Sequence, residues 1–128
     1  MIQHNNFPRI ATDAIARATA QNDTILKLEL NLVNLDCEIF TLILDLESVQ
    51  IVAEKAIAFD ANYKNDAQRK NALQSKLNQA GNLAKRKALQ QLKARKAQAE
   101  AHLGAAKRLY QLALIQAQSV TSGGANNA

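Results

Sequence analysis

The chain has no tryptophan, one cysteine, one proline and only four glycines among its 128 residues. Phenylalanine occurs three times and tyrosine twice. A compact β-protein needs more turn-forming residues and more aromatic or β-branched side chains than this. Alanine, leucine, lysine and glutamine, which favour helices, are abundant instead. The composition therefore predicts an all-α chain, and the length predicts a single domain.

The single cysteine, Cys37, cannot form a disulfide within the chain, so the sequence requires no oxidising compartment. Cys37 lies among leucine, isoleucine and phenylalanine, and we predict that it is a small, buried apolar residue. The first residues, MIQHNNFPRIATDA, lack the charged lead and apolar block of a signal peptide. No apolar stretch approaches the roughly 20 residues that span a bilayer. We therefore expect a cytoplasmic protein without a membrane partner.

Acidic residues are scarce in the second half of the chain. Residues 1–63 contain nine acids and four bases, whereas residues 64–128 contain two acids and twelve bases. Such an asymmetry is typical of nucleic-acid-binding chains. It also arises when two helices of opposite charge pair with each other, so both interpretations stay open here.

Turn-forming and capping residues divide the chain into three predicted helices, at about residues 9–21, 24–59 and 66–118. The sequence Asn22-Asp23-Thr24 indicates a break between the first two helices. Asn65, followed three residues later by Gln68, resembles a capping box and predicts the start of the third. Residues 1–118 thus form one predicted helical domain, followed by a flexible tail at 119–128.

The second predicted helix carries two apolar rows. The first row has the alternating three- and four-residue spacing of a coiled coil and comprises Ile25, Leu28, Leu32, Leu35, Ile39, Leu42, Leu46, Val49, Ala53 and Ala56. We predict that Leu28, Leu32, Leu35, Ile39, Leu42, Leu46 and Val49 form the helix-packing interface. The second row has the same spacing and comprises Leu26, Leu30, Val33, Cys37, Phe40, Leu44 and Ile51. Two rows are too wide for one partner helix, so we expect at least two neighbouring helices, from this chain or a second copy.

The third predicted helix has an apolar face made mostly of alanine: Leu73, Leu77, Ala80, Ala84, Ala88, Leu92, Ala99, Ala106, Leu109 and Ala113. The other side carries what we call the basic face: Lys85, Arg86, Lys93, Lys96, Lys107 and Arg108. Leu89 and Leu103 interrupt this face. The two long helices predict a coiled-coil-like antiparallel hairpin with a short N-terminal helix, packed as a bundle or a homodimer.

Pairing within such a hairpin would neutralise part of the basic charge. If the chain turns back at residues 60–65, Asp45 and Glu47 lie near Lys76, and Asp36 and Glu38 approach residues 85–87. Surface ion pairs of this kind contribute only about 0–1 kcal/mol each. The acids become sparse before Lys107, so the far part of the basic face has a surplus of charge.

Residues that could carry chemistry are few. The two histidines, His4 and His102, have no cysteine or carboxylate at metal-ligand spacing. The sequence contains no glycine-rich phosphate loop and no nucleophile beside a base that would activate it. We therefore predict a non-enzymatic protein without a metal, a cofactor or a small-molecule substrate.

The basic face is the strongest functional feature of the sequence. Lysine and arginine contact phosphates without regard to base sequence, and a helix can lay such a row along a nucleic-acid backbone. Tyr63 and Tyr110 are the only aromatic stacking residues nearby, and no nucleic-acid-binding signature is present. A solvated or self-paired charged face and an acidic protein partner are the competing interpretations.

The segment DANYKNDAQRKNALQSKL, residues 60–77, resembles small helical-hairpin accessory proteins of bacteriophages and prophages. In that family a Tyr-x-Asn-(Asp/Glu) turn leads into a helix with an Arg-(Lys/Gln) pair and a leucine. The matching residues here are Tyr63, Asn65, Asp66, Arg69, Lys70 and Leu73. The resemblance covers less than a fifth of the chain, and it implies a phage-encoded accessory protein in the host cytoplasm.

Three hypotheses follow from the sequence. The leading one is a phage or mobile-element protein that binds nucleic acid, or a nucleic-acid-binding host complex, through the basic face. The second is an inhibitor that docks on a host defence or nuclease complex and blocks its surface. The third is a structural homo-oligomer in which the two apolar rows form the core of a helical bundle.

Overall fold

In the computed structural model, the described part of the chain comprises the backbone of residues 2–127 and the side chains of residues 12–79 and 81–119. Three helices run in the order α1 (Ile2–Ala58), α2 (Asp66–Leu77) and α3 (Ala80–Asn127), and residues 2–127 contain no strand. The two long helices, α1 and α3, pack against each other. The predicted all-α helical hairpin is confirmed.

The predicted break at Asn22-Asp23-Thr24 is wrong, because α1 is one helix from Ile2 to Ala58. A threonine that starts a helix turns its hydroxyl towards the following backbone amides. Here the Thr24 hydroxyl donates to the carbonyl of Ala20 at 3.1 Å, and Thr19 does the same to Ile15 at 3.0 Å. Both hydroxyls bond to the preceding turn, which lets the helix continue through them.

The predicted start of the next helix is confirmed. Asn65 is the N-cap of α2, and its side-chain oxygen accepts from the amide of Gln68 at 2.8 Å. The Gln68 side chain in turn accepts from the amide of Lys64 at 2.8 Å. These two bonds satisfy backbone donors that a helix start leaves unpaired.

The predicted continuous helix over residues 66–118 is wrong, because α2 ends at Leu77 and α3 begins at Ala80. Asn78 caps the end of α2 and donates its amide to the Gln74 carbonyl at 2.9 Å. The carbonyl of Gln79 then accepts from the amides of Asn82 and Leu83, which starts α3. Asparagine favours helix ends over helix interiors, because its side chain competes for backbone hydrogen bonds.

The chain forms two compact units, each made of a part of α1 and a part of α3. The first comprises Met1–Val33 and Ala97–Ala128, and the second comprises Asn34–Lys96, including α2. The single domain predicted over residues 1–118 stays a prediction. The last helix does not end at about residue 118 as predicted, because α3 continues to Asn127. The side chains of the tail predicted at residues 119–128 lie, apart from Ser119, outside the described part.

Alanines occupy most of the fully buried positions of the first unit. Among its described residues, the buried ones are Ala14, Ala18 and Ile25 of α1 and Ala99, Ala106 and Ala113 of α3. Larger apolar side chains of this unit are either half-buried, as are Leu28, Leu32, Leu103, Tyr110 and Leu114, or exposed, as are Ile15, Leu26, Leu30, Val33, Leu109, Leu112 and Ile115. Alanine removes less apolar surface from water than leucine does, so the fully buried positions of this unit contribute less stability than leucines there would.

Larger side chains fill the interior of the second unit. Leu35, Ile39, Ala53 and Ile57 of α1 are buried, and Leu42, Leu46 and Val49 are half-buried. On α3, Leu89 and Leu92 are half-buried. The predicted last member of the first row, Ala56, is exposed, and Ile57 takes its place.

The side of α3 that packs inward is rotated from the predicted face. Leu109 is 52% exposed and Ala84 is exposed, whereas Leu103 and Leu89 are half-buried. The alanines at 99, 106 and 113 are spaced by seven residues, and Leu103 and Tyr110 follow them by four. These alternating intervals of four and three residues are the coiled-coil spacing. Lys96 and Lys85, at the edge of the basic face, fall on the same spacing earlier in α3.

Candidate interaction surfaces

The second row of α1 is exposed along its whole length. Its large members have exposed fractions between 48% and 63%: Leu26, Leu30, Val33, Phe40, Leu44 and Ile51. Cys37, in the middle of this row, is exposed as well, so the prediction of a buried cysteine is wrong. The sequence predicts at least two helical neighbours for α1. Within the described part of the chain, α3 covers the first row and no helix covers the second.

Helix geometry explains why one row is covered and the other is not. At about 100° per residue, Leu26 lies about 100° around the helix from Ile25, and Leu30 lies about 140° from it. A single helix such as α3 covers a narrower arc than this. Packing the first row against α3 therefore leaves the second row facing outwards. Cys37 is exposed for this reason, in spite of its apolar sequence neighbours.

Polar residues flank the second row, and one charge interrupts it. Asn34, Thr41 and Ser48 lie on one side, and all three are exposed. Glu47 occupies the position between Leu44 and Ile51 where the spacing calls for an apolar residue, and it is exposed too. An apolar strip with a polar border is the usual form of a protein-binding surface.

Two lysines of the predicted basic face pair with acids of α1. Lys85 Nζ lies 2.9 Å from Asp45 Oδ2, and Lys96 Nζ lies 2.6 Å from Asp36 Oδ1. All four side chains are between 36% and 54% exposed, so water weakens each pair. Self-pairing within the hairpin thus accounts for part of the positive charge.

These pairs also correct the predicted alignment of the helices, which placed Asp45 near Lys76 and Asp36 near residues 85–87. The connection and α2 explain the difference. Asn62 and Tyr63 line a groove together with Gln68, Asn71, Ala72, Ser75 and Lys76 of α2. Lys76 also lines a groove with Ser48, Val49 and Val52, which lie closer to the end of α1 than Asp45 does. Residues of α3, further along the chain, therefore align with Asp45 and Asp36.

Arg86, another predicted member of the basic face, holds the α2–α3 junction. Its guanidinium donates to the carbonyl of Leu77, the last residue of α2, and to Asn78 Oδ1 at 3.5 Å. Asn82 donates to the neighbouring carbonyl of Lys76 at 3.1 Å. Carbonyls at a helix C-terminus lack partners within the helix, and a cation there also meets the negative end of the helix dipole. Sequence reasoning missed this role because it missed the end of α2.

The remaining members of the basic face, Lys93, Lys107 and Arg108, are exposed. None of them forms an ion pair with the described part of the chain. Lys87 and Arg95, which the prediction did not include, are exposed on the same helix. The predicted basic face therefore divides into three residues that pair with other parts of the hairpin and three that face solvent.

No group of three or more histidine, cysteine, aspartate or glutamate side chains could hold a metal ion within residues 12–79 and 81–119. His102 is exposed, and His4 lies outside the described side chains. Over the same described stretch, no helix combines the length and the apolarity needed to cross a membrane.

Replacing Arg86 tests its structural role. We expect Arg86→Met to lower the free energy of unfolding by about 1–2 kcal/mol, because a charged hydrogen bond to a helix-end carbonyl is lost. The matched control is Lys87→Met, which removes an exposed cation one residue away and should change stability by less than about 0.5 kcal/mol. Urea unfolding followed by circular dichroism measures both; equal effects would contradict the assigned role.

No protein-family model matches the sequence, and neither a curated protein nor a solved structure matches it. The resemblance of residues 60–77 to phage accessory proteins therefore stays a prediction. The function of this chain has to be inferred from its own fold and exposed surfaces.

Proposed function

We propose that the protein is a non-enzymatic protein-interaction module, in which the second row of α1 packs against a helix of another protein chain. The observation that carries this proposal is the exposure of the second row. Six large apolar side chains stand about half to two-thirds in water along one side of one helix. Single exposed apolar residues are common on soluble proteins, but a continuous strip of them marks an interaction site.

The spacing of the second row supports a helix as the binding partner. Its residues follow one another at alternating intervals of four and three from Leu26 to Leu44, and Ile51 lies one heptad beyond Leu44. Side chains at this spacing form a straight strip that fits into the gaps on a facing helix. A flat protein surface or an extended peptide requires no such repeat. Covering the strip gains about 25 cal/mol for each Å² of apolar surface removed from water.

The resemblance to phage accessory proteins points to one use of the second row, which is to block a host defence or nuclease complex. Under that hypothesis the module covers a helix that the host complex needs, and the protein requires no active site. The proposal of a helix-binding surface does not depend on this use.

Alkylation of Cys37 tests the proposal, because this lone thiol lies in the middle of the second row. We expect a maleimide to react at least tenfold more slowly with Cys37 in extract from the cells that encode the protein than with Cys37 in dilute purified protein. Urea-unfolded protein gives the fully accessible rate. Equal, fast alkylation in the extract and in purified protein at every concentration would show that nothing covers the second row, and would overturn the proposal.

Nucleic-acid binding is a second candidate function, and the solvent-facing part of the basic face favours it. Lys93, Lys107 and Arg108 have no ion pair in the described structure, so their charge is available for phosphates. This surface is narrower than the predicted one, since Lys85, Arg86 and Lys96 serve the fold.

Salt dependence tests this second function. If the three residues contact phosphates, binding to a labelled oligonucleotide should weaken by about tenfold or more between 50 and 200 mM salt, in line with the release of counterions. A Lys93→Glu, Lys107→Glu, Arg108→Glu variant should lose the binding, measured by fluorescence anisotropy. Affinity that is absent, or unchanged by both salt and the variant, would rule the function out.

A further inference from the structure

We infer that the helix that covers the second row is α1 of a second copy of this chain, running antiparallel to the first. This inference rests on the proposed function and names its partner. Two hairpins would then join through their paired second rows and form a helical bundle.

The interior of the first unit is the first reason to expect a second copy. Helices in water gain most of their stability from packing an apolar face. In this unit alanines fill most of the fully buried positions, and Leu28, Leu32 and Leu103 are only half-buried. Leu26, Leu30 and Val33 remain outside. Among the described residues, only Ala14 is less than 2% exposed. A second copy of the chain is present wherever the chain is made, so it is the partner that is always available to cover these exposed side chains.

The second reason is the spacing of the second row, because the order of its intervals is the same from either end. From Leu26 to Ile51, counting Glu47, the intervals are 4, 3, 4, 3, 4, 3 and 4. Two such rows in antiparallel alignment bring every residue opposite a counterpart. Leu26 then faces Ile51 of the second copy, and Val33 faces Leu44.

The sizes of the facing side chains also match in this alignment. Phe40, the largest residue of the row, faces Cys37 of the second copy, which is the smallest. Interfaces of interior density need large side chains opposite small ones. The two central layers, related by the two-fold axis, both consist of this Phe40–Cys37 pair.

Glu47 decides between the antiparallel and the parallel orientation. A parallel pair in register places each residue beside its own copy, so two Glu47 carboxylates would meet within the apolar strip. Like charges in such positions are destabilising. The antiparallel pair places Glu47 opposite Leu30 and within one helical turn of Lys27 of the second copy, where the opposite charge can reach it.

The polar border of the row fits the same orientation. In antiparallel alignment Asn34 lies near Thr41 of the second copy, and Lys27 lies near Ser48. Glu29, on the other border, lies near Gln50. No two like charges come together along either border, and the uncharged pairs can hydrogen-bond across the interface.

Sedimentation velocity on the purified full chain tests the inference. We expect a dimer at micromolar concentration, and we expect Phe40→Glu to weaken dimerisation at least tenfold by placing a carboxylate opposite Cys37. The control is Asn31→Glu, which adds the same charge to an exposed position of α1 away from the row and should leave the dimer intact. Circular dichroism should show equal helix content in all three proteins, because Phe40 makes no part of the buried interior.

Disulfide trapping tests the orientation. In a Cys37→Ser background, a chain carrying both Val33→Cys and Leu44→Cys should form a covalent dimer on mild oxidation, because these positions face each other in antiparallel alignment. A chain with Leu44→Cys alone should not. Efficient trapping of the single variant would indicate a parallel dimer and overturn the orientation.

The outcomes separate this inference from the proposed function. A monomer whose Cys37 is protected only in cell extract would overturn self-association and leave a different protein as the partner. A monomer whose Cys37 reacts freely in both settings would overturn the inference and the proposed function together. A dimer that Phe40→Glu leaves unchanged would place the interface elsewhere and overturn the inference.

Discussion

The structure depends on one geometric constraint, which is that α3 can cover only one side of α1. That helix has two apolar rows about 100–140° apart, and a single neighbour reaches one of them. The first row, with Leu35 and Ile39, is buried or half-buried from Ile25 to Ala53, and the second row, with Leu30 and Phe40, remains in water. The exposure of Cys37 and the polar border of the strip follow from this arrangement. So does the expectation that another helix completes the fold.

The charge of the second half of the chain also follows from the pairing of α1 with α3. Lys85 and Lys96 lie at the edge of the packed side of α3 and reach Asp45 and Asp36. Arg86 points back to the end of α2, where unpaired carbonyls accept from it. The basic residues of this stretch thus form ion pairs with α1 and hydrogen bonds to the end of α2. The solvent-facing remainder, Lys93, Lys107 and Arg108, is available for an acidic partner and is too sparse to indicate which.

The sequence was a good guide to features that rest on local periodicity and a poor guide to features that rest on competing hydrogen bonds. The three-four spacing predicted the two rows, and the Asn65 and Gln68 pair predicted the start of α2. A threonine hydroxyl can cap a new helix or bond to the previous turn, and at Thr24 it bonds to the previous turn. The end of α2 was missed because Asn78 and Arg86 act together from different helices. The predicted alignment of the lysines with the acids of α1 is wrong for the same reason, because the position of α2 determines which lysines lie beside those acids.

The concentration dependence of thermal unfolding tests most directly whether burial between chains completes this fold. A protein that gains stability by binding a second copy unfolds at a higher temperature when it is more concentrated, because mass action favours the dimer. We expect the Tm, followed by circular dichroism, to rise as the purified protein is concentrated from the low to the high micromolar range. We expect Phe40→Glu to remove that rise. A Tm that is the same at every concentration, with full helix content, would show that the hairpin is stable alone and would contradict the account.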